Sequence, residues 1–285
     1  MITAAIEPNF TAWRDKAREL LRCGVRPEEV CWENATSGCG LLPDSEEVPA
    51  AAFVPVEQMK VPPGFIPLAS QVCAHTDERR FGVLYRLLHR LTLGGRRHLL
   101  GMPTDIDTRQ CQMWAKAVGR EVHHMHAYVR FRLVGRDEAT GREQFMAWFE
   151  PEFRVVRLAA PFFEKRFAGM DWSILTPEEC VAWDGKRLEF LPGMSKADAP
   201  AADAHDDLWR TYYSSIFNPA RLKVRTMQSS MPRKYWKNMP ETQVIPELIA
   251  SSQTRVMQML DTPERPLKPL PDNACLRSLH QRSTS

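Results

Sequence analysis

Between residues 104 and 150 the spacing of the apolar side chains changes from about 3.6 to 2. The stretch TDIDTRQCQMWAKAVGREVHHMHAYVRF reads first as a helix, with Thr104 or Asp105 at its N-cap. Gly119 weakens its middle and marks a candidate break. From HAYVRFRLV the pattern alternates, with Tyr128, Arg130 and Arg132 on one side and Val129, Phe131 and Leu133 on the other. GRDEATGRE follows as a hairpin connection and QFMAWFEP as the return strand. A chain that switches period once in this way predicts an α+β fold, not alternating parallel βα units.

Helices bracket this switch. FTAWRDKARELLR (10–22) places Phe10, Trp13, Ala17, Leu20 and Leu21 at helical spacing, and GVRPEEVCW predicts a short helix running into a strand. DERRFGVLYRLLHRLTLG aligns Phe81, Leu84, Tyr85, Leu88 and Leu91 and stops at Gly94-Gly95. After the switch, VVRLAAPFFEKRFAGM predicts a helix, then WSILTP, ECVAWDG and KRLEFLPG predict three short strands, the last two joined by an Asp184-Gly185 turn. Residues 206–260 read as helical again: LWRTYYSSIF, RLKVRTMQSSM and the stretch after Pro246. The expected architecture is a small antiparallel sheet flanked by N-terminal and C-terminal helices. Its parts are an N-terminal helical lobe (1–42), a proline-rich linker (43–69), a main α+β domain (70–260) and a flexible tail (261–285).

Charge narrows the functional classes. The 285 residues carry a net charge of only +3, so any nucleic-acid surface has to be local. From Leu208 to Pro240 there are seven Lys and Arg and no Asp or Glu. A solvated face ordinarily mixes both signs, so this window predicts phosphate binding. The candidate contacts are Arg210, Arg221, Lys223, Arg225, Arg233, Lys234 and Lys237, with Tyr235 and Trp236 to stack on unpaired bases. The alternative for the two aromatics is a place in the core.

Other constellations are less specific. His123 and His126 in EVHHMH share a helix face and suit a metal or a substrate, with Glu150, Asp105 or Asp107 as a third group; the alternative is a packed imidazole donating to backbone. Glu150 in AWFEPEF is a candidate general base or a helix-capping acid. His123, His126 and Glu150 together form the candidate catalytic set. Asp171, Trp172, Thr176 and Trp183 are candidates for a cleft, or a filling between sheet and helix. Seven scattered cysteines without a Cys-x-x-Cys pair suit a reducing cytoplasm, and no apolar run reaches the roughly 18 residues of a membrane span. No metal and no cofactor is expected.

Several stretches together carry a resemblance: RFGVLYRLLHRLT, AKAVGREVHHMHAYVRFR, AWFEPEFRVVRLAAPFFEKRFAGMDWSILTP, VAWDG and LWRTYYSSIFNPARLKVRTMQSSMPRKYWKNMPE. They resemble a bacterial domain family of unknown function that carries the label "probable DNA metabolism protein". Its members stand alone or precede a uracil-DNA glycosylase-like domain, and are often encoded beside a radical-SAM protein. The resemblance covers roughly residues 70–260 and includes His123, Trp148, Glu150, Arg221, Lys223, Tyr235 and Trp236. Gly119 and Phe153 stand where the family pattern has Arg and His. NACLRSLHQRSTS echoes the cysteine-bearing start of the glycosylase domain, but its single cysteine cannot hold an iron–sulfur cluster.

The resemblance implies a DNA repair or modification accessory that binds single-stranded or duplex DNA. It implies a uracil-DNA glycosylase-like or radical-SAM protein as partner. The alternatives are an enzyme acting on a damaged or modified nucleobase, and a protein–protein adaptor without DNA contact.

Overall fold

The computed structural model describes residues 1–35, 59–136, 141–198 and 231–252, with positions 214, 254, 256 and 257 singly. Its elements in chain order are β1 (Ile2–Ile6), α1 (Phe10–Arg22), β2 (Val30–Asn34), α2 (Phe65–Ala74), α3 (Arg80–Leu91) and α4 (Ile106–Tyr128). Then come β3 (Arg132–Arg136), β4 (Glu143–Trp148), α5 (Val156–Arg166), β5 (Asp171–Leu175), β6 (Glu179–Trp183) and β7 (Leu188–Pro192). Two 3₁₀ turns, Arg233–Asn238 and Pro240–Val244, lead into α6 (Ile245–Ala250). The fold is α+β.

Two cores lie side by side. The first gathers Trp13, Leu20, Phe65, Val72, Phe81, Tyr85 and Leu91 from α1, α2 and α3. The second gathers Met125, Ala147, Phe149, Phe163, Trp172, Ile174 and Tyr235 from α4, the sheet, α5 and the first 3₁₀ turn. α4 belongs to both: Cys111, Trp114 and Ala115 enter the first core, Val118 and Met125 the second. A helix of 23 residues rises about 35 Å, enough to cross both layers.

Local chemistry sets the ends of α4. The Asp105 side chain caps it by accepting from the Thr108 backbone N–H. Arg86 and Arg90 of α3 pair with Asp107, and Arg90 also pairs with Asp105, so the two helices are locked where α4 begins. The helix is continuous through Gly119, where a break was expected, and it runs on to Tyr128. The strand expected from His126 therefore begins only at Arg132. Helical hydrogen bonding persists through the histidines because Met125 and Val129 are still buried against the second core.

The main sheet has strand order β3-β4-β5-β6-β7. Its pairs are antiparallel except β4 with β5, which α5 connects as a parallel crossover. Trp172 faces Trp183 across β5 and β6 on the buried side. The β6–β7 turn forms as expected: Asp184 Oδ1 accepts from the Lys186 and Arg187 N–H groups, and Gly185 has φ +85°. A side chain at Gly185 is disfavoured by this left-handed backbone, and its Cβ, 2.6 Å from the Arg142 guanidinium, would also displace that flexible group.

β1 and β2 form a separate parallel pair, Ile2 opposite Val30, on the first core. The sequence patterning did not anticipate β1. α2 runs across residue 70, where the sequence reading begins the main body, and its buried residues share the first core with α1 and α3. The expected helices over LWRTYYSSIF and RLKVRTMQSSM, the linker up to residue 58 and the tail lie outside the described residues, apart from the helical position 214. No helix among the described residues is long and apolar enough to cross a membrane.

Gly119 tests this reading of α4. A Cβ there would meet only Gln71 Nε2, at 3.9 Å. Gly119→Ala is expected to raise stability by about 0.5–1 kcal/mol in urea unfolding, because the helix loses a flexible residue and gains no clash. A loss of stability would show that the position needs glycine.

Candidate nucleic-acid interface

The basic window enters the structure at Met231, and its described end is bound to the body by carboxylates. Glu121 of α4 is 2% exposed. The Tyr235 hydroxyl lies 2.6 Å from both of its carboxylate oxygens. The Glu152 backbone N–H donates to Oε1 at 2.9 Å, and His124 Nδ1 is 3.3 Å from Oε2. Lys234 Nζ stands 3.6 Å from Glu121 and 2.6 Å from Glu152. One buried acid thus ties the helix, the loop after β4 and the first 3₁₀ turn together. Its charge is spread over four donors, as a carboxylate out of water requires.

Further ties run along the same seam. Lys237 pairs with Glu150, which also accepts from Trp148 Nε1 at 2.8 Å. Lys196 reaches Glu150 at 3.9 Å and the Asn238 side chain at 3.3 Å. Arg130 holds the buried Glu241 at 2.6 Å in the second 3₁₀ turn. Met239, Ile245 and Leu248 are buried behind these pairs.

The aromatics divide. Tyr235 is 2% exposed and stacks on Phe149 with centroids 5.2 Å apart and planes 10° from parallel. Its ring is a core ring in this arrangement, which removes it from the surface available to bases. Burial, then the Glu121 carboxylate, pushes its phenol well above the usual tyrosine range, so it stays a donor. Trp236 is half-buried, donates Nε1 to the Met231 carbonyl and carries the Arg233 guanidinium 5.7 Å from its ring centroid. Arg233 is exposed and has no carboxylate partner among the described residues. Arg210, Arg221, Lys223 and Arg225 lie outside the described residues.

The candidate catalytic set is dispersed among different neighbours. His126 stacks on Phe162 at 4.2 Å, and its Nε2 is 3.3 Å from the Ala159 carbonyl of α5. Burial lowers its pKa, which favours the neutral ring. His123 is exposed on the same side of α4. Glu150 has other partners, Lys237, Trp148 and Lys196. Burial alone would raise the Glu150 carboxyl, but Lys237, Trp148 and Lys196 hold it below the usual range. Asp105 and Asp107, weighed as metal ligands with these histidines, sit at the other end of α4, roughly 24–32 Å away by helical rise. There they pair with Arg86 and Arg90.

The histidine that joins an acid is His124, the member of EVHHMH that the i, i+3 pairing of His123 and His126 leaves out. It lies between Glu121 and the rings of Tyr128 and Tyr235. The missed signal was Glu121 itself, an acid on the helical stripe Cys111, Trp114, Val118 and Met125.

Asp171, Trp172 and Trp183 do meet, in a cleft of about 390 Å³ on the sheet that Ser173, Asp184 and Glu189 also line. Thr176 does not line it; it is buried and its hydroxyl donates to the Glu179 carbonyl. Three acids against Arg187 make this cleft unsuited to phosphate.

These features define an α+β protein with a mixed sheet, in which the end of the basic segment is fastened to α4 and to the loop after β4 by carboxylates, of which Glu121 is buried. Residues 78–241, more than half of the chain, match the family described as a domain of unknown function, DUF4130. The chain belongs to that family. No curated protein and no solved structure matches it.

Two measurements test the clasp. Tyr235→Phe removes the principal donor to a buried carboxylate and is expected to cost about 1.5–3 kcal/mol in chemical denaturation. A loss under 0.5 kcal/mol would mean that Glu121 does not depend on it. The second concerns pH. Lys234 lowers the Glu152 carboxyl, and Glu150 is also held low. Depressed carboxyls stabilise the fold above their unfolded value of about 4.3, and that contribution is lost as pH falls through the lower folded values. The melting temperature should therefore fall less steeply between pH 5 and 3 in the Glu150→Gln/Glu152→Gln double variant than in the wild type. Parallel curves would contradict the pairing.

Proposed function

We propose that the protein is a nucleic-acid-binding accessory of DNA repair or modification. In this reading the phosphates are gripped by Arg210, Arg221, Lys223, Arg225 and Arg233, with Trp236 beside them as the aromatic surface. Lys234, Lys237 and Tyr235 act as anchors and not as contacts. The observation that carries the reading is the acid-free run of seven cations, whose C-terminal end is fixed to a folded body by that body's own acids. Fixing one end lowers the ordering cost of binding, and leaves the rest of the run without acids of its own in sequence.

The resemblance to DNA-metabolism proteins supports the same class and points to a uracil-DNA glycosylase-like or radical-SAM protein as partner. An enzymatic role for His123, His126 and Glu150 gains no support from side chains that face different neighbours. A docking patch built on Tyr235 gains none from a ring that is buried.

Titration with a fluorescent oligonucleotide at several salt concentrations tests the proposal. Affinity should fall with a log–log slope of roughly 0.7–0.9 per phosphate contact. Arg221→Ala/Lys223→Ala/Arg225→Ala should reduce the slope by about 2–3, whereas Lys237→Ala should leave it unchanged. Undetectable binding at low salt, or binding indifferent to salt, would overturn the reading.

A further inference from the structure

A second cationic surface lies on α1, over the first core. Arg14, Arg18 and Arg22 follow one another at intervals of four on α1 and therefore share one face. All three line a cleft of about 290 Å³, and Lys60 lines it too. The remaining described lining residues are Trp13, Leu21, Met59, Val61, Phe65, Ile66 and Leu88, all apolar in character, with no Asp or Glu among them.

Among the described residues, charge at this rim is largely uncompensated. Arg14 pairs with Asp15, its neighbour on the helix. Arg18, Arg22 and Lys60 are exposed and have no carboxylate partner among the described residues. The acid Glu19 is engaged by Lys16. The floor is equally specific: Trp13, Leu21 and Phe65 are 1% exposed, while Ile66, at 45%, stands open at the edge. Trp13 Nε1 is buried without an acceptor among the described residues, as are the indoles of Trp32 and Trp172. A mostly apolar cleft with a few convergent charges is the ordinary form of a small-ligand site.

We propose that this cleft binds an amphiphilic organic anion, with its apolar body on Val61, Phe65 and Leu88 and its carboxylate or phosphate among Arg18, Arg22 and Lys60. At about 30 Å³ per water-sized group, the cleft holds roughly ten heavy atoms. The anion would relieve the mutual repulsion of the rim cations, and the apolar floor would strengthen that attraction by excluding water. All of the lining residues except Leu88 precede the DUF4130 match at residues 78–241, so the site lies largely outside the matched region. It is independent of the basic window.

Calorimetric titration of the full chain with decanoate, decyl phosphate and decanol, below micellar concentrations, tests the proposal. At least one anion should bind saturably, and at least tenfold more tightly than decanol. Tighter binding of decyl phosphate would identify a phosphate ligand, and tighter binding of decanoate a carboxylate ligand. Arg18→Glu/Arg22→Glu should weaken the anion at least tenfold, and Arg109→Glu, on the exposed face of α4, should not. Lys60→Glu, outside α1, repeats the test should the double variant not fold. No saturable anion binding, equal binding of decanol, or wild-type affinity in the folded rim variants would overturn it.

Discussion

The structure depends on a carboxylate that has been taken out of water. Glu121 sits on the buried stripe of α4, where an unpaired charge would cost several kcal/mol. It is tolerated because Tyr235, the Glu152 backbone, His124 and Lys234 all converge on it. Those partners come from three separate stretches of chain. Their meeting fixes how α4, the β4–α5 loop and the first 3₁₀ turn sit relative to one another. Since α4 also enters the helical core through Trp114 and Cys111, this single site registers the sheet layer against the N-terminal layer.

Charge then has two different uses in one chain. At the seam around Glu121 and Glu150 it is paired and partly buried, so it serves specificity of packing more than affinity for anything outside. On α1 the arginines at positions 14, 18 and 22 border an open apolar cleft, and two of the three have no acid partner among the described residues. The basic window spans both uses: its last lysines are consumed by the body, while Arg233 is not. A net charge near zero conceals this arrangement, because the matched pairs cancel and leave the local excesses out of view.

Local patterns in the sequence carried much of the fold. Phe81, Leu84, Tyr85, Leu88 and Leu91 mark α3 by spacing alone, and all five are buried. The Asp184-Gly185 turn is legible because few residues adopt its left-handed backbone. β1 was not legible: ITAAI is short, and its partner β2 lies beyond a helix. α2 was hidden by the prolines around it, although Pro67 falls in its first turn, where the missing N–H costs little. The candidate site suffered from the same non-local ignorance. The i, i+3 rule picked His123 and His126, but which face of α4 meets Tyr235 is decided by packing 110 residues away, and that face carries Glu121 and His124.

Native-state hydrogen exchange on the wild type and Tyr235→Phe examines the clasp most directly. The Met239 and Thr242 amides, bonded to Trp236 and Met239 carbonyls, report whether the segment is docked. If Glu121 holds it, these amides open with the same free energy as the C-terminal half of α4 in the wild type. In Tyr235→Phe they exchange faster, while α3 is unchanged. Amides that exchange independently of α4 and are indifferent to the loss of the hydroxyl would contradict the account.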